Sequence, residues 1–395
     1  MRILINDFGG YPFPVQLSKF LSNNGYEIVH TYVSNIQTPH GNMEAGANKL
    51  KITPILLNSQ FKKYSFTGRF KGEYEYAKKV GEVIDSFKPD IFLSANTPLL
   101  AQSLLLKKCK RADIKFIYWC QDIHSIAIEK YLKDRLPLIG KYVSSYFKRK
   151  EIKLLEQSDY VITISDGFNQ IFKVWGISQN NISVIHNWGP IADITIEPKS
   201  NTWSEELGLD TKLVVLYSGT LGLKHNPALI ANAAKKLKNN TEVAFVVISE
   251  GIGAEILKKE KEDLKLNNLL VLPYQHYPLI SKVLGSADVL LSILEKDAAL
   301  FSVPSKVLTY LCAQKAIVLS VPGENLSAKI VTDTNSGYCF EPDDEDGFIN
   351  GITALLNNDE LRKTMGQNGR KYAEESFGIA HIADEFIAIF NTLIP

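Results

Sequence analysis

Residues 301–310 read Phe301-Ser302-Val303-Pro304-Ser305-Lys306-Val307-Leu308-Thr309-Tyr310, a loop that turns into a helix and leads on to the apolar run Ala316-Ile317-Val318-Leu319. Pro304 and Ser305 supply a helix start and a capping hydroxyl, so the spacing predicts a helix over 305–314 and a buried strand over 316–319. A helix start carries unpaired backbone N–H groups and the positive end of the dipole, and Lys306 adds a full charge where capping alone favours Asp or Glu. The partner this predicts is an anion, phosphate foremost. Taken alone, Pro-Ser-Lys is also what an ordinary strand-to-helix connection with a solvated lysine looks like.

Moving upstream, a strand over 213–217 runs into Ser218-Gly219-Thr220-Leu221-Gly222-Leu223-Lys224-His225-Asn226-Pro227, where glycines, a hydroxyl and a lysine again precede a helix. Two such loops at strand ends of one open sheet are expected to share the crevice in which α/β sheets bind ligands. Glu250 follows the strand 243–248 and Tyr274 follows the strand 269–272, where a base can be stacked or hydrogen-bonded. Further strands are expected over 287–293 and 336–339. Helices are expected over 226–238, 252–263, 277–283 and 344–357, and from 358 onward.

The first half shows the same alternation of short Ile/Val-rich runs with amphipathic stretches, which predicts a parallel sheet covered by helices on both faces. Strands are expected over 2–6, 27–33, 51–56, 90–94, 114–120, 159–164 and 181–185, with one long helix over 134–158. Gly9 and Gly10 follow the first strand and lead into a helix around Val15 to Leu21, so backbone can approach a ligand there; a tight turn without a ligand reads equally well. This is not Gly-x-Gly-x-x-Gly, and NAD binding is unsupported. Asp122 and His124 sit together at the end of the strand 114–120, suited to binding hydroxyls, or else a helix cap beside a surface histidine. The other histidines have no ligand spacing, and no metal site is expected. A linker is expected over Trp188 to Ser204.

A chain of 395 residues with 45% hydrophobic content suggests two globular α/β domains. The net charge is +1, but residues 1–197 hold 25 Lys and Arg against 18 Asp and Glu, whereas 198–395 hold 19 against 25. A basic first half suits an anionic membrane or a diphosphate-bearing acceptor; no motif for nucleic acid stands out, and none is expected as a partner. Cys109, Cys120, Cys312 and Cys339 lie in or beside apolar runs without Cys-x-x-Cys pairing, as buried thiols of a reducing compartment do. No signal-peptide segment and no apolar run of about 18 residues is found, which predicts a cytoplasmic protein, peripheral at most on the inner membrane.

The succession Tyr217-Ser218-Gly219-Thr220, Ala228 to Ala233, Ser249-Glu250-Gly251, Ala287-Asp288-Val289 and Val303-Pro304-Ser305-Lys306 resembles the donor-binding domain of glycosyltransferase family 4. The tail Gly337-Tyr338, Glu341-Pro342-Asp343 and Met365 to Arg370, followed by a final helix, is similar to the usual ending of these enzymes. Gly9-Gly10, Asp122, His124, Ile164-Ser165 and Val184 to Asn187 extend the likeness to the first half. It is nearest to bacterial members that build O-antigen and capsule, including N-acetyl-L-fucosaminyltransferase-like enzymes.

The resemblance implies an α/β GT-B fold of two Rossmann-like domains facing across a cleft: 1–188 for the acceptor, 189–375 for the nucleotide sugar, and 376–395 as a helix crossing back. It implies retaining transfer from a nucleotide diphosphate sugar, UDP favoured, to a polyprenyl-diphosphate-linked glycan, with no cofactor and no bound metal. Gly9 and Gly10 would approach donor phosphate and sugar, His124 with Asp122 would meet the donor sugar, and Ser305 with Lys306 would hold phosphate. Gly219, Thr220, Lys224, Glu250, Tyr274 and Val303-Pro304 complete the expected donor site. Two departures stand out. Phe301 and Thr309 occupy the positions of the family's two glutamates, so their roles pass to Glu295, Asp297 or Thr309 itself; and Thr220 replaces the family's arginine. A UDP-N-acetylglucosamine 2-epimerase-like enzyme and a non-catalytic binding protein of the same fold are the alternatives.

Phe61-Lys62-Lys63-Tyr64-Ser65-Phe66 to Arg69-Phe70-Lys71 interleaves aromatics with cations, a composition suited to an anionic headgroup region. Packing of these aromatics on their own domain is the alternative.

Overall fold

A computed structural model describes residues 1–36, 38, 41, 43–44, 49–58, 66–133, 137–222, 225–296 and 303–394, without the side chains of 66–69, 133 and 137–139. Lys224, Asp297, Phe301 and the segment 61–65 therefore lie outside the described residues, as do the side chains of Phe66 and Arg69.

The chain forms two units, one of Met1–His186 with the residues from Ile379 on, the other of Asn187–Gly378. In the first, the strands are β1 (Arg2–Asp7), β2 (Glu27–Val33), β3 (Leu50–Ile55), β4 (Ile91–Ala95), β5 (Lys115–Cys120), β6 (Tyr160–Thr163) and β7 (Ile182–Val184). They pair in the order β3-β2-β1-β4-β5-β6-β7, and every pair is parallel. In the second, β8 (Leu213–Ser218), β9 (Val243–Ile248), β10 (Leu269–Leu272), β11 (Val289–Ile293), β12 (Ala316–Ser320) and β13 (Gly337–Phe340) run in the order β10-β9-β8-β11-β12-β13, again all parallel. The central strands are buried along their whole length, as in β4, β11 and β12, because helices cover both faces; this is why they read as unbroken apolar runs rather than alternating ones.

In each sheet the chain reverses its direction of winding at one place, between β1 and β4 and between β8 and β11. Neighbouring crossovers there leave on opposite faces, and the strand ends open a crevice. The loops after β1 and β8 lie at these two positions, and so do those after β4 and β11.

Several local expectations change. The first helix is Pro12–Asn23, opening on a proline whose missing N–H costs nothing there. The long helix expected over 134–158 begins at Pro137, and a separate helix, His124–Lys133, precedes it. The polar run read as a linker is ordered within the second unit: Asn201 caps the short helix Thr202–Glu206 through a reciprocal bond pair with Ser204, and Trp203 is buried. The last helix, Ile379–Leu393, belongs to the first unit, where the buried Phe386 ring meets Trp119 of β5 edge-on at 4.9 Å. All four cysteines are free thiols, Cys339 half-buried and the others buried.

Candidate functional site

The second unit joins the two loops that the sequence singled out. Lys306 opens the helix Lys306–Cys312, and its ammonium lies 3.7 Å from the centroid of the Tyr217 ring. It donates to the Tyr217 hydroxyl and, at 3.4 Å, to the carbonyl of Thr220, while the Tyr217 hydroxyl donates to that same carbonyl at 2.8 Å. Burial pushes the Tyr217 phenol well above its ordinary pKa, so it stays neutral and keeps its proton for this bond. One turn further along the helix, the Tyr310 hydroxyl accepts from the Ser218 amide at 2.9 Å and donates to the Ser218 carbonyl at 3.0 Å. The reason lies in the register: β11 pairs with β8 only at Val215 and Leu216, so the last residue of β8 has no strand beside it on that edge. Tyr310 takes the place of that strand. Tyr310→Phe should then leave a buried amide and carbonyl unmatched, costing about 1–3 kcal/mol. Chemical denaturation should show the loss.

Gly219 has φ +134, a backbone conformation that favours glycine, and the Lys306 side chain packs closely on it, its Cε 3.0 Å from where a Cβ would stand. Thr220 Oγ1 lies 3.1 Å from the Tyr274 hydroxyl, and Glu250 accepts from the Tyr274 amide at 3.2 Å. Gly219, Thr220, Glu250, Tyr274 and Lys306 thus form one connected group at the ends of β8, β9 and β10. Glu295 lies just past β11, half-buried, and Thr309 lies three residues beyond Lys306 on its helix, also half-buried.

The capping role expected of Ser305 is not observed. Its backbone is already helical, with φ −59 and ψ −23, and its exposed hydroxyl caps no amide. The amides of Val307 and Leu308 turn back onto the carbonyls of Pro304 and Ser305 at 3.1 Å each, leaving the hydroxyl nothing to accept from. Val303 and the buried Pro304 form the approach to this turn. Positive charge here comes from the fixed Lys306 rather than from a row of free helix amides.

In the first unit, Gly9 and Gly10 are buried and their backbone groups are engaged internally. The Gly9 amide donates to Asp7 Oδ1 at 3.2 Å and the Gly10 amide to the Asp7 carbonyl at 3.2 Å. The two carbonyls accept from Thr38 Oγ1 at 2.7 Å and from the Gly41 amide at 2.9 Å. The space beside Gly9 is filled by the Tyr11 ring, whose Cε2 lies 2.2 Å from where a Cβ would be, and Gly10 has φ +67. These glycines serve the turn; contact with a ligand there would be van der Waals contact rather than amide-to-phosphate bonding.

Two carboxylates that the sequence reading passed over organise the loops around His124. Asp7, fully buried, also accepts from the Tyr11 amide at 2.6 Å and from Asn96 Nδ2 at 2.9 Å, which ties the loop after β1 to the loop after β4. Desolvation outweighs these bonds and pushes its pKa up to about 7. Glu151, fully buried on the helix Pro137–Gln157, accepts from the amides of His124 and Ser125 at 2.9 Å each. It therefore caps the helix His124–Lys133 from 27 residues away, the role that Asp122 had as an alternative. The His124 ring reaches the Thr97 carbonyl through Nε2 at 3.2 Å; a carbonyl can only accept, so Nε2 carries a proton and Nδ1 is the ring nitrogen left for another partner. Asp122 is half-buried beside it. Among the described residues no three or more His, Cys, Asp or Glu side chains group as a metal site, and no helix is long and apolar enough to cross a membrane.

The family model for Glycosyltransferase Family 4 matches residues 13–188, and that for Glycosyl transferases group 1 matches residues 199–372. A protein of Escherichia coli K12 named for colanic acid biosynthesis, the glycosyl transferase WcaI, is 25% identical over 237 residues, 59% of this chain and 57% of that protein. An N-acetylgalactosamine-N,N'-diacetylbacillosaminyl-diphospho-undecaprenol 4-alpha-N-acetylgalactosaminyltransferase of Campylobacter jejuni is 23% identical over 256 residues, 64% of each chain. The match thus spans less than two thirds of either relative. Among solved structures, the sucrose-phosphate synthase of Thermosynechococcus elongatus superposes with a TM-score of 0.77 at 13% identity, covering 100% of this chain and 99% of that one. The Anabaena protein Alr3699/HepE in complex with UDP-glucose gives 0.72 at 15% identity, with the same coverage. The chain thus carries a Glycosyltransferase Family 4 domain over 13–188 and a Glycosyl transferases group 1 domain over 199–372, on the GT-B fold.

Proposed function

We propose that this protein is a retaining glycosyltransferase that moves a sugar from a nucleotide diphosphate sugar, UDP-linked by preference, to a lipid-linked glycan in the assembly of a bacterial surface polysaccharide of the O-antigen or capsule kind. The observation that carries the reading is Lys306 fixed over Tyr217 and bonded to the Thr220 carbonyl, because it sets a cation at the winding reversal of the second sheet. A leaving diphosphate develops negative charge as the bond to the sugar breaks, and a charge already held in place stabilises it without reorganisation. Thr220 and Ser305 add hydroxyls, and Glu250 with Tyr274 lies where a base and ribose would be held. In the first unit His124, through Nδ1, and Asp122 beside it suit the hydroxyls of a sugar. Turnover is proposed to need no divalent metal, since Lys306 supplies the cation's role.

The UDP preference draws on the Anabaena protein solved with UDP-glucose, and the lipid-linked acceptor on the name of the Campylobacter relative. Incubation with UDP-, GDP- and ADP-sugars and a polyprenyl-diphosphate glycan, with Mg²⁺ or with EDTA, tests it. The expected result is transfer from a UDP-sugar that persists in EDTA, with the donor's anomeric configuration kept in the product by NMR. Transfer that ceases in EDTA, or inverted product, would contradict the mechanism; no transfer from any donor would contradict the function.

A further inference from the structure

The helix Pro137–Gln157 leaves a stripe facing outward that the proposed chemistry does not use. Tyr142 and Tyr146, one turn apart, are 81% and 55% exposed, and the same stripe continues into exposed Arg149 and Lys153. Lys150 lies beside it, 5.3 Å from the centroid of the Tyr146 ring. The exposed rings continue onto the neighbouring helix Phe66–Phe87: Tyr146 meets the buried Phe147 at 5.4 Å, Phe147 stacks with Phe70 at 6.4 Å, and one turn beyond Phe70 stands Tyr74. Phe70 and Tyr74 are 42% and 63% exposed, with exposed Lys71 and Lys78 on the same side of that helix.

We infer that this two-helix face docks the protein on an anionic lipid bilayer. Four exposed aromatic rings on one soluble surface are unusual unless something covers them, and tyrosine suits a boundary where the ring is apolar and the hydroxyl stays wet. The cations decide which surface covers them. Arg149, Lys150, Lys153, Lys71 and Lys78 surround the rings; Glu151 on the same helix as the tyrosines is turned into the core, and the exposed Glu156 lies at its far end, while on the other helix Glu75 is paired with Lys79 at 2.9 Å and the exposed Glu82 stands one turn beyond Lys78. A neutral protein partner would gain nothing from that charge, whereas anionic headgroups gain from each cation near the surface. A helix face of aromatic residues flanked by Lys and Arg, with no helix among the described residues long and apolar enough to cross a bilayer, lies in the interface rather than through it. The inference gives the lipid-linked acceptor of the proposed function a physical setting but is tested without it.

The test is flotation of the 395-residue chain with vesicles of phosphatidylethanolamine alone or mixed with phosphatidylglycerol, with no acceptor or donor present. Binding is expected only with phosphatidylglycerol and is expected to weaken as salt is raised. Arg149→Glu with Lys153→Glu should reduce it about twenty-fold or more, at about five-fold for each charge lost near the surface. Tyr142→Ser with Tyr146→Ser should reduce it about ten-fold. Lys235→Glu with Lys236→Glu, on exposed positions of the second unit, changes the charge equally and should bind like the parent. Equal loss in that control, parent-like binding by both face variants, or capture by DNA at the same salt as vesicles would overturn the inference. A failure here leaves UDP binding and soluble-acceptor transfer untouched, and so is distinguishable from failure of the function.

Discussion

Lys306→Met is expected to lower sugar transfer by about a hundred- to a thousand-fold, the range seen when a fixed electrostatic group facing the developing charge is removed. Methionine keeps the unbranched stem that packs against Gly219 and Tyr217 but removes the ammonium, so the melting temperature should stay close to that of the parent. The loss should appear in kcat more than in KM, since the leaving diphosphate gains charge only as the bond breaks. Lys306→Arg should not restore activity. Its planar fork is wider than an ammonium, and the Tyr217 ring, the Thr220 carbonyl and Gly219 enclose the lysine tip closely. Single-turnover kinetics on the three proteins would check this, and full activity of the arginine variant would show that charge alone suffices.

The second large effect concerns Asp7 and pH. Its carboxyl has an ordinary pKa of 3.8 and is raised to about 7 by burial. Between these values the unfolded chain has released the proton while the folded protein keeps it, so stability falls as pH rises from about 4 to 7 and levels off above. The span amounts to about 4 kcal/mol, or roughly 10 °C in the melting temperature of the first unit. Asp7→Asn removes this slope. It also sets an amide NH₂ among N–H donors, a constant penalty that shifts the whole curve down. The melting temperature of the variant minus that of the parent should therefore increase steadily from pH 4 to pH 7. Parallel curves for the two proteins would contradict the assignment of that slope to Asp7.

The strands were legible because the two sheets are buried on both faces. Apolar runs such as Val243–Ile248 and Leu269–Leu272 coincide with the expected ranges to the residue. What was not legible depended on partners far away in the chain. Asp7 looks like a polar residue ending a strand, and only the fold brings Asn96 to it. Glu151 sits in a highly charged helix and looks solvated, yet it is fully buried on the amides of His124 and Ser125. Tyr217 and Tyr310 are buried in the core, yet their hydroxyls hold Lys306 and Ser218, which residue type does not reveal. The Ser305 cap failed because the helix opens with tight turns onto carbonyls, which no side-chain preference predicts. The cation at Lys306 and the loop at Gly219 are visible from residue type alone, and their meeting is expected because both loops follow strands of one open sheet.

Thermal stabilisation by UDP, GDP, ADP and NAD, each with Mg²⁺ and with EDTA, on the parent and on Lys306→Met, tests the central claim most directly. A ligand that binds only the folded protein adds about 2.7 kcal/mol at a hundredfold excess over its Kd. The account predicts a shift for the parent with UDP, larger than with the other nucleotides and unchanged by EDTA, and a much smaller one for Lys306→Met. Equal shifts in the two proteins, or none with any nucleoside diphosphate, would contradict a donor site built around Lys306.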